Sequence, residues 1–148
     1  RASELLAHIS AAGYAGAHGT TALDSLRGLM HGFIDLVVEH DGRYWILDYK
    51  TNLLGPTLAD YAPERLRDAI AAHRYDLQYL IYSVALHRHL RQALPGYDPA
   101  THFGGVLYLF VRGMDEGGSN GVFRDHPDPA LIESLDALLD GRQETSAA

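Results

Sequence analysis

The fold turns on Gly32-Phe33-Ile34-Asp35-Leu36-Val37-Val38-Glu39-His40-Asp41-Gly42-Arg43-Tyr44-Trp45-Ile46-Leu47-Asp48-Tyr49-Lys50-Thr51. Two apolar, β-branched or aromatic arms flank Asp41-Gly42, the dipeptide favoured in a two-residue hairpin turn. Such a turn sets His40 opposite Arg43, so opposed residue numbers sum to 83 and Asp35 falls across from Asp48. Side chains alternate along a strand, which places Asp48 and Lys50 on one face. A single register therefore gathers two acids and an amine. Like charges set opposite each other on a sheet destabilise it by up to about 1 kcal/mol. The neighbours Phe33, Ile34, Leu36, Trp45, Ile46 and Leu47 are apolar on both faces, where an unpaired charge is costly. A divalent cation relieves that cost, and hard carboxylate ligands suit magnesium or manganese. Lys50 is the only lysine, beside eleven arginines. Two carboxylates and one amine are the parts of a metal-dependent phosphodiester-cleaving site. The plain alternative makes both aspartates polar positions on a half-solvated hairpin and Lys50 a salt-bridge partner of Asp48; spacing does not separate the two.

Outward from the hairpin, Ser3 to about Ala12 reads as a short helix with Leu5, Leu6 and Ile9 on one face. Gly13 to Thr21 reads as loop, and the strand pattern begins at Leu29. After a loop from Thr51 to Ala59, Asp60 is expected to cap a helix whose first turn holds Pro63. Helical periodicity runs to about Leu94, with a break expected near His73-Arg74-Tyr75, and Pro95-Gly96 stops it. Gly104-Gly105 opens a strand, Val106 to Arg112, apolar enough for the middle of a sheet. Gly113 to Asn120 is a polar loop, Asp128-Pro129 starts a last helix to about Leu139, and the end is expected to fray. The order predicts an α/β domain with a mixed sheet.

The chain has 148 residues, 47% hydrophobic and 21% charged, which is ordinary for one globular domain. It opens on Arg1 rather than methionine and is expected to be part of something longer. No apolar run approaches the length of a membrane span. Zero cysteines exclude disulfides, cysteine-held zinc and a thiolate-held iron–sulfur cluster, and fit a reducing cytoplasm. The formal charge of -7 argues against a nucleic-acid partner, but it is uneven. Residues 1–112 hold 11 acids and 10 bases, and residues 113–148 hold 8 acids and 2 bases. The acidity belongs to the tail.

Gln78 and Tyr82 lie four apart on the long helix and share a face, both able to donate to a phosphate or a bound water. Such pairs are also common at an ordinary solvent edge. Arg65, Arg67, Arg74, Arg88 and Arg91 form a basic helical region that fits either a DNA backbone or a solvated face. Of nine histidines, His87 and His89 are two apart and cannot share a helix face, and His31 alone is kept as a candidate for a role beside the hairpin.

Gly32-Phe33-Ile34-Asp35, Leu47-Asp48-Tyr49-Lys50-Thr51-Asn52 and Gln78-Tyr79-Leu80-Ile81-Tyr82 together resemble the PD-(D/E)XK nuclease superfamily. Ala72 to Tyr79, Ala85 to Arg88 and His102 to Phe110 narrow this to a resemblance to the C-terminal nuclease domains of the RecB type, found in the exodeoxyribonuclease V helicase–nucleases. The resemblance is close over about 27–112. It implies a restriction-endonuclease-like α/β core: a mixed sheet with a central hairpin flanked by helices. The chain is then one partial nuclease domain, its core at about 24–112 and an acidic helix and tail at 113–148. By resemblance, Asp35 and Asp48 ligate Mg2+ (Mn2+ as substitute), helped by the Tyr49 main-chain carbonyl. Lys50 orients the attacking water and steadies phosphate charge, Gln78 and Tyr82 support the site, and Thr51 and Asn52 contact DNA. The implied activity is magnesium-dependent hydrolysis of DNA in the bacterial cytoplasm, in double-strand break repair and recombination. The implied partners are RecC-type and RecD-type subunits and RecA. RecB-type domains also use an upstream histidine ligand, and neither His8 nor His18 stands in its context. The chain alone is therefore expected to bind metal weakly and cut poorly. Related nucleases with a four-cysteine iron–sulfur cluster are excluded, since this chain has no cysteine. Two rivals remain: another PD-(D/E)XK nuclease, and a nuclease fold kept only for DNA binding or subunit docking.

Overall fold

The computed structural model describes residues 2–18, 22, 24 and 32–140. His31, the start of the strand expected from Leu29, and the chain end from residue 141 lie outside the described residues. Among the described residues, four strands form one sheet in the order β1-β2-β3-β4. They are β1 (Leu36–His40), β2 (Arg43–Lys50), β3 (Phe103–Phe110) and β4 (Val122–Asp125). β1 pairs antiparallel with β2, β2 parallel with β3, and β3 antiparallel with β4, so the sheet is mixed. The helices are α1 (Ala2–Ala11), α2 (Pro63–Ala72), α3 (Tyr75–Ala93), α4 (Pro99–His102) and α5 (Pro129–Asp140), with short 3-10 turns between.

The hairpin register is the expected one. Leu36 faces Leu47 and His40 faces Arg43, and Asp41 and Gly42 both take positive φ (51° and 74°), as the tight turn requires. The first arm is shorter than its pattern suggests. The paired strand starts at Leu36, because the Asp35 carboxylate Oδ2 accepts the Tyr49 backbone N–H at 3.1 Å. A side chain thus takes the donor that a further ladder pair would have used.

The parallel return to β3 carries a one-residue bulge. Tyr44 pairs with Phe103 but Trp45 with Gly105, leaving Gly104 extra. Phe103 and Val106, three apart, are both fully buried as a result. Both glycines are required. A Cβ on Gly104 would lie 2.5 Å from the Trp45 indole, and Gly105 sits at φ 123° with its would-be Cβ 2.6 Å from the Asp125 carbonyl oxygen.

The long helical region does break where the pattern suggests. α2 ends at Ala72 with His73 as its C-cap, Arg74 takes a left-handed conformation at φ 53°, and α3 starts at Tyr75. A non-glycine residue there costs roughly 1–2 kcal/mol, and the packing of α3 offsets it. That helix is buried on most sides from Asp76 to Leu90, with Leu77, Tyr79, Leu80, Val84, Leu86 and Leu90 in the core. It packs on β2 and β3 and against α5, and α1 packs on α5. Leu5, Ile9, Ile132 and Leu135 join the same core as Ile46, Val106 and Phe110.

Two details differ from the sequence reading. Asp60 does not cap α2, whose N-cap is Ala62; its carboxylate closes on Thr57 N–H and Oγ at the start of a 3-10 turn, Leu58–Tyr61. Thr57 three residues ahead makes the local box the shorter closure. β4 was not anticipated, since its four residues include Arg124 and Asp125 and follow a Gly/Ser-rich loop. None of the described helices is long and apolar enough to cross a membrane.

Candidate active site

β2 presents Asp48 and Lys50 toward the helices, as the alternation requires. Asp48 is 3% exposed, and Lys50 Nζ lies 2.8 Å from its Oδ1. Burial pushes the Asp48 carboxyl up from its ordinary value; the Lys50 hydrogen bond and charge oppose that, and the Asp35 charge adds to it. Burial wins this balance, which places a carboxylate in want of more positive charge. Asp35, exposed at the bend before β1, is its neighbour one step beyond the last ladder pair.

α3 supplies the rest. The Gln78 Oε1 accepts from Lys50 Nζ at 3.1 Å and from the Tyr108 hydroxyl at 2.6 Å. An ammonium can only donate, so these contacts fix the amide orientation and turn Nε2 toward Tyr82, whose hydroxyl accepts at 3.3 Å. Burial first, then the Asp48 charge, pushes the Tyr82 hydroxyl pKa up, and that proton finds no acceptor among the described residues. Tyr108, fully buried on β3, is pushed up in the same way. The five residues expected in the chemistry thus divide into a hydrogen-bonded cluster of Asp48, Lys50, Gln78 and Tyr82 with Asp35 at its edge.

Thr51 and Asn52 continue the strand into the loop. The Thr51 side is exposed and its carbonyl accepts from Arg112 Nε at 2.7 Å. Asn52 turns its amide to the Tyr75 hydroxyl, donating at 3.0 Å and accepting at 3.3 Å. Tyr49 is 50% exposed.

Three members of this cluster were missed in the sequence: Tyr75, Tyr108 and the inward role of Asn52. Tyr75 stands at the helical spacing i, i+3, i+7 with Gln78 and Tyr82, so the pattern that picked those two also points to it. Tyr108 had no local signal, because β3 joins β2 across some 60 residues of chain.

The basic helical region resolves differently from a DNA-facing stripe. Arg88 and Arg91 hold Asp136 of α5, and Arg88 also holds Asp140 at 2.6 Å. Arg65 and Arg67 stay exposed, near Asp60 and Glu64. His87 is a satisfied core histidine, its Nδ1 3.0 Å from the Tyr97 hydroxyl. His8 and His18 make local contacts with Glu4 and Ser10.

The donor set fits a hard divalent cation in part. Asp35 and Asp48 each keep one carboxylate oxygen without a hydrogen-bond partner among the described residues. Among the described residues, no third histidine, aspartate or glutamate joins them there.

A family model for the PD-(D/E)XK nuclease superfamily matches residues 2–146. The RecBCD enzyme subunit RecB of Haemophilus influenzae is 50% identical over 116 residues, covering 78% of this chain and 10% of that protein. Its Escherichia coli counterpart is 48% identical over 117 residues, with 78% and 10% covered. That of Mycobacterium tuberculosis is 50% identical over 123 residues, with 78% and 11% covered. The chain spans about a tenth of the length of these curated relatives.

Proposed function

The chain belongs to the PD-(D/E)XK nuclease superfamily, and on that premise we propose that it is the hydrolytic part of a RecBCD-type helicase–nuclease, cutting DNA phosphodiester bonds in double-strand break repair and recombination. The observation that carries this reading is the Lys50 ammonium, held between Asp48 at 2.8 Å and Gln78 at 3.1 Å on facing elements. Asp35, Asp48 and the Tyr49 carbonyl would hold a divalent cation, magnesium with manganese as substitute, which would supply Lewis-acid polarisation of the phosphate when bound. Lys50 orients a water for in-line attack and meets the charge that develops on the phosphate, with no reorganisation at that moment. Gln78 keeps Lys50 aimed, and the uncommitted Tyr82 proton donates to a phosphate oxygen. Thr51, exposed where the chain leaves β2, lies against the DNA backbone, while Asn52, expected beside it, turns its amide inward to Tyr75. The 148 residues belong to one domain, a partial nuclease domain with its core at about 24–112 and an acidic helix and tail at 113–148. RecC-type and RecD-type subunits, DNA and the recombinase RecA are its partners, in the bacterial cytoplasm.

The test is cleavage of end-labelled linear DNA in magnesium by wild type and Lys50→Gln, run on the chain alone and on a version extended to the length of its relatives. The variant should lose about 10²–10³ in rate. Equal cutting by both would place the chemistry elsewhere. No cutting by either folded protein would favour a docking role.

A further inference from the structure

Lysine is a compact charge on a flexible four-carbon stem, so a site that uses one must hold it still. The Lys50 ammonium has three protons, and only two oxygen acceptors meet it among the described residues, on Asp48 and Gln78. Two aromatic rings also lie close to it. Nζ lies 4.0 Å from the centroid of the Tyr75 ring and 5.1 Å from that of Tyr108. An ammonium over a ring face at this distance is attracted by the ring quadrupole, most strongly when water is excluded, and the Lys50 side chain is only 13% exposed.

The Tyr75 ring is itself held from several directions. Its hydroxyl exchanges hydrogen bonds with the Asn52 amide. The His73 ring stacks on it at 5.2 Å with planes 18° apart. The left-handed Arg74 sets its place as the first residue of α3. Nothing in the metal-and-lysine chemistry proposed above requires a fixed aromatic ring here.

We propose that Tyr75 is the positioning residue for Lys50: its ring face, pinned by Asn52 and His73, forms the third wall of the ammonium site beside Asp48 and Gln78. The catalytic value of this wall rests on the nuclease reading; the wall itself does not. Tyr75 touches no reacting atom and acts through Lys50. The ring matters and the hydroxyl matters less, since the hydroxyl only anchors the ring.

Lys50 is the only lysine of the chain, so lysine-selective ¹³C labelling of the full 148-residue chain yields one ε-methylene signal. In wild type that signal should be displaced upfield by the ring current and show nuclear Overhauser contacts to the Tyr75 ring protons. Tyr75→Phe should retain the displacement, and Tyr75→Leu should move the signal toward that of a free lysine. In magnesium-dependent cleavage, Tyr75→Leu should lower kcat about tenfold with KM little changed, and Tyr75→Phe should recover most of the loss. An undisplaced wild-type signal, or absent ring contacts, overturns the proposal with no variant needed, even where Tyr75→Leu fails to fold. A folded Tyr75→Leu that cuts like wild type while Lys50→Gln does not also overturns it, and leaves the nuclease reading standing. If instead Lys50→Gln cuts like wild type, the nuclease reading fails, and the ring contacts still decide whether Tyr75 holds Lys50.

Discussion

Asp48 is where burial, charge and strand position act on one side chain. Asp48→Ala is expected to weaken manganese binding tenfold or more, read by titration with the paramagnetic ion, because one of two carboxylate donors is lost. A docking module would show no such change. A subtler expectation concerns Gln78→Glu. It keeps the acceptor for Lys50 but removes the donor to Tyr82 and adds a negative charge near Asp48. Cleavage should fall about tenfold or more, with thermal stability changed far less. Asp35, Asp48 and Lys50 were readable because one turn type and the two-residue period of a strand fix their relative places. Gln78 and Tyr82 were readable from helical spacing. Tyr108 was not, since no local rule says which residue of a distant strand lies beside Lys50. Asp76 was not either. Its buried carboxylate accepts Gly16 N–H at 2.7 Å, and a Cβ on Gly16 would lie 1.8 Å from Asp76 Oδ1, a fit visible only once α3 has met the N-terminal segment.

At the scale of elements, the bulge at Gly104 sets how β3 lies on β2 and hence where Tyr108 meets Gln78. Gly105→Ala places a side chain at positive φ against the Asp125 carbonyl. It should cost about 2–4 kcal/mol, measured as a lowered urea midpoint with an unchanged slope. A loss within a few tenths of a kcal/mol would show that β3 and β4 can part there without consequence. Hairpin, helix break and last helix were legible, because turn residues, proline and periodicity are local. The early end of β1 was not, as it depends on Asp35 taking the Tyr49 donor, a choice made by a side chain rather than by strand propensity.

Over the whole molecule, the acidity of the chain's last quarter is partly turned inward. Asp136, 3% exposed, meets Arg88 and Arg91, fastening α5 to α3. Burial alone would raise its carboxyl, but the two guanidinium groups overcome that and hold it below the ordinary range. A carboxyl depressed in the folded state contributes stability above its unfolded pKa of about 3.9 and loses it as pH falls through the folded value. Asp136→Asn should therefore cost about 1–3 kcal/mol at neutral pH, the arginines being partly solvated. In urea unfolding the gap from wild type should narrow toward pH 3; a gap that does not move with pH would remove the charge from this account. The parallel pairing of β2 with β3 has a consequence in time. Asp35 and Asp48 are brought together by a local hairpin, a microsecond event, whereas Gln78 reaches Lys50 only once α3 has folded back on β2, and Tyr108 only once the chain from Lys50 to Phe103 has looped back. Pulsed hydrogen exchange during refolding should find the hairpin amides protected before those of β3. On that schedule the two acids meet early and the clasp on the lysine closes last, so the cluster is whole only once β3 has arrived.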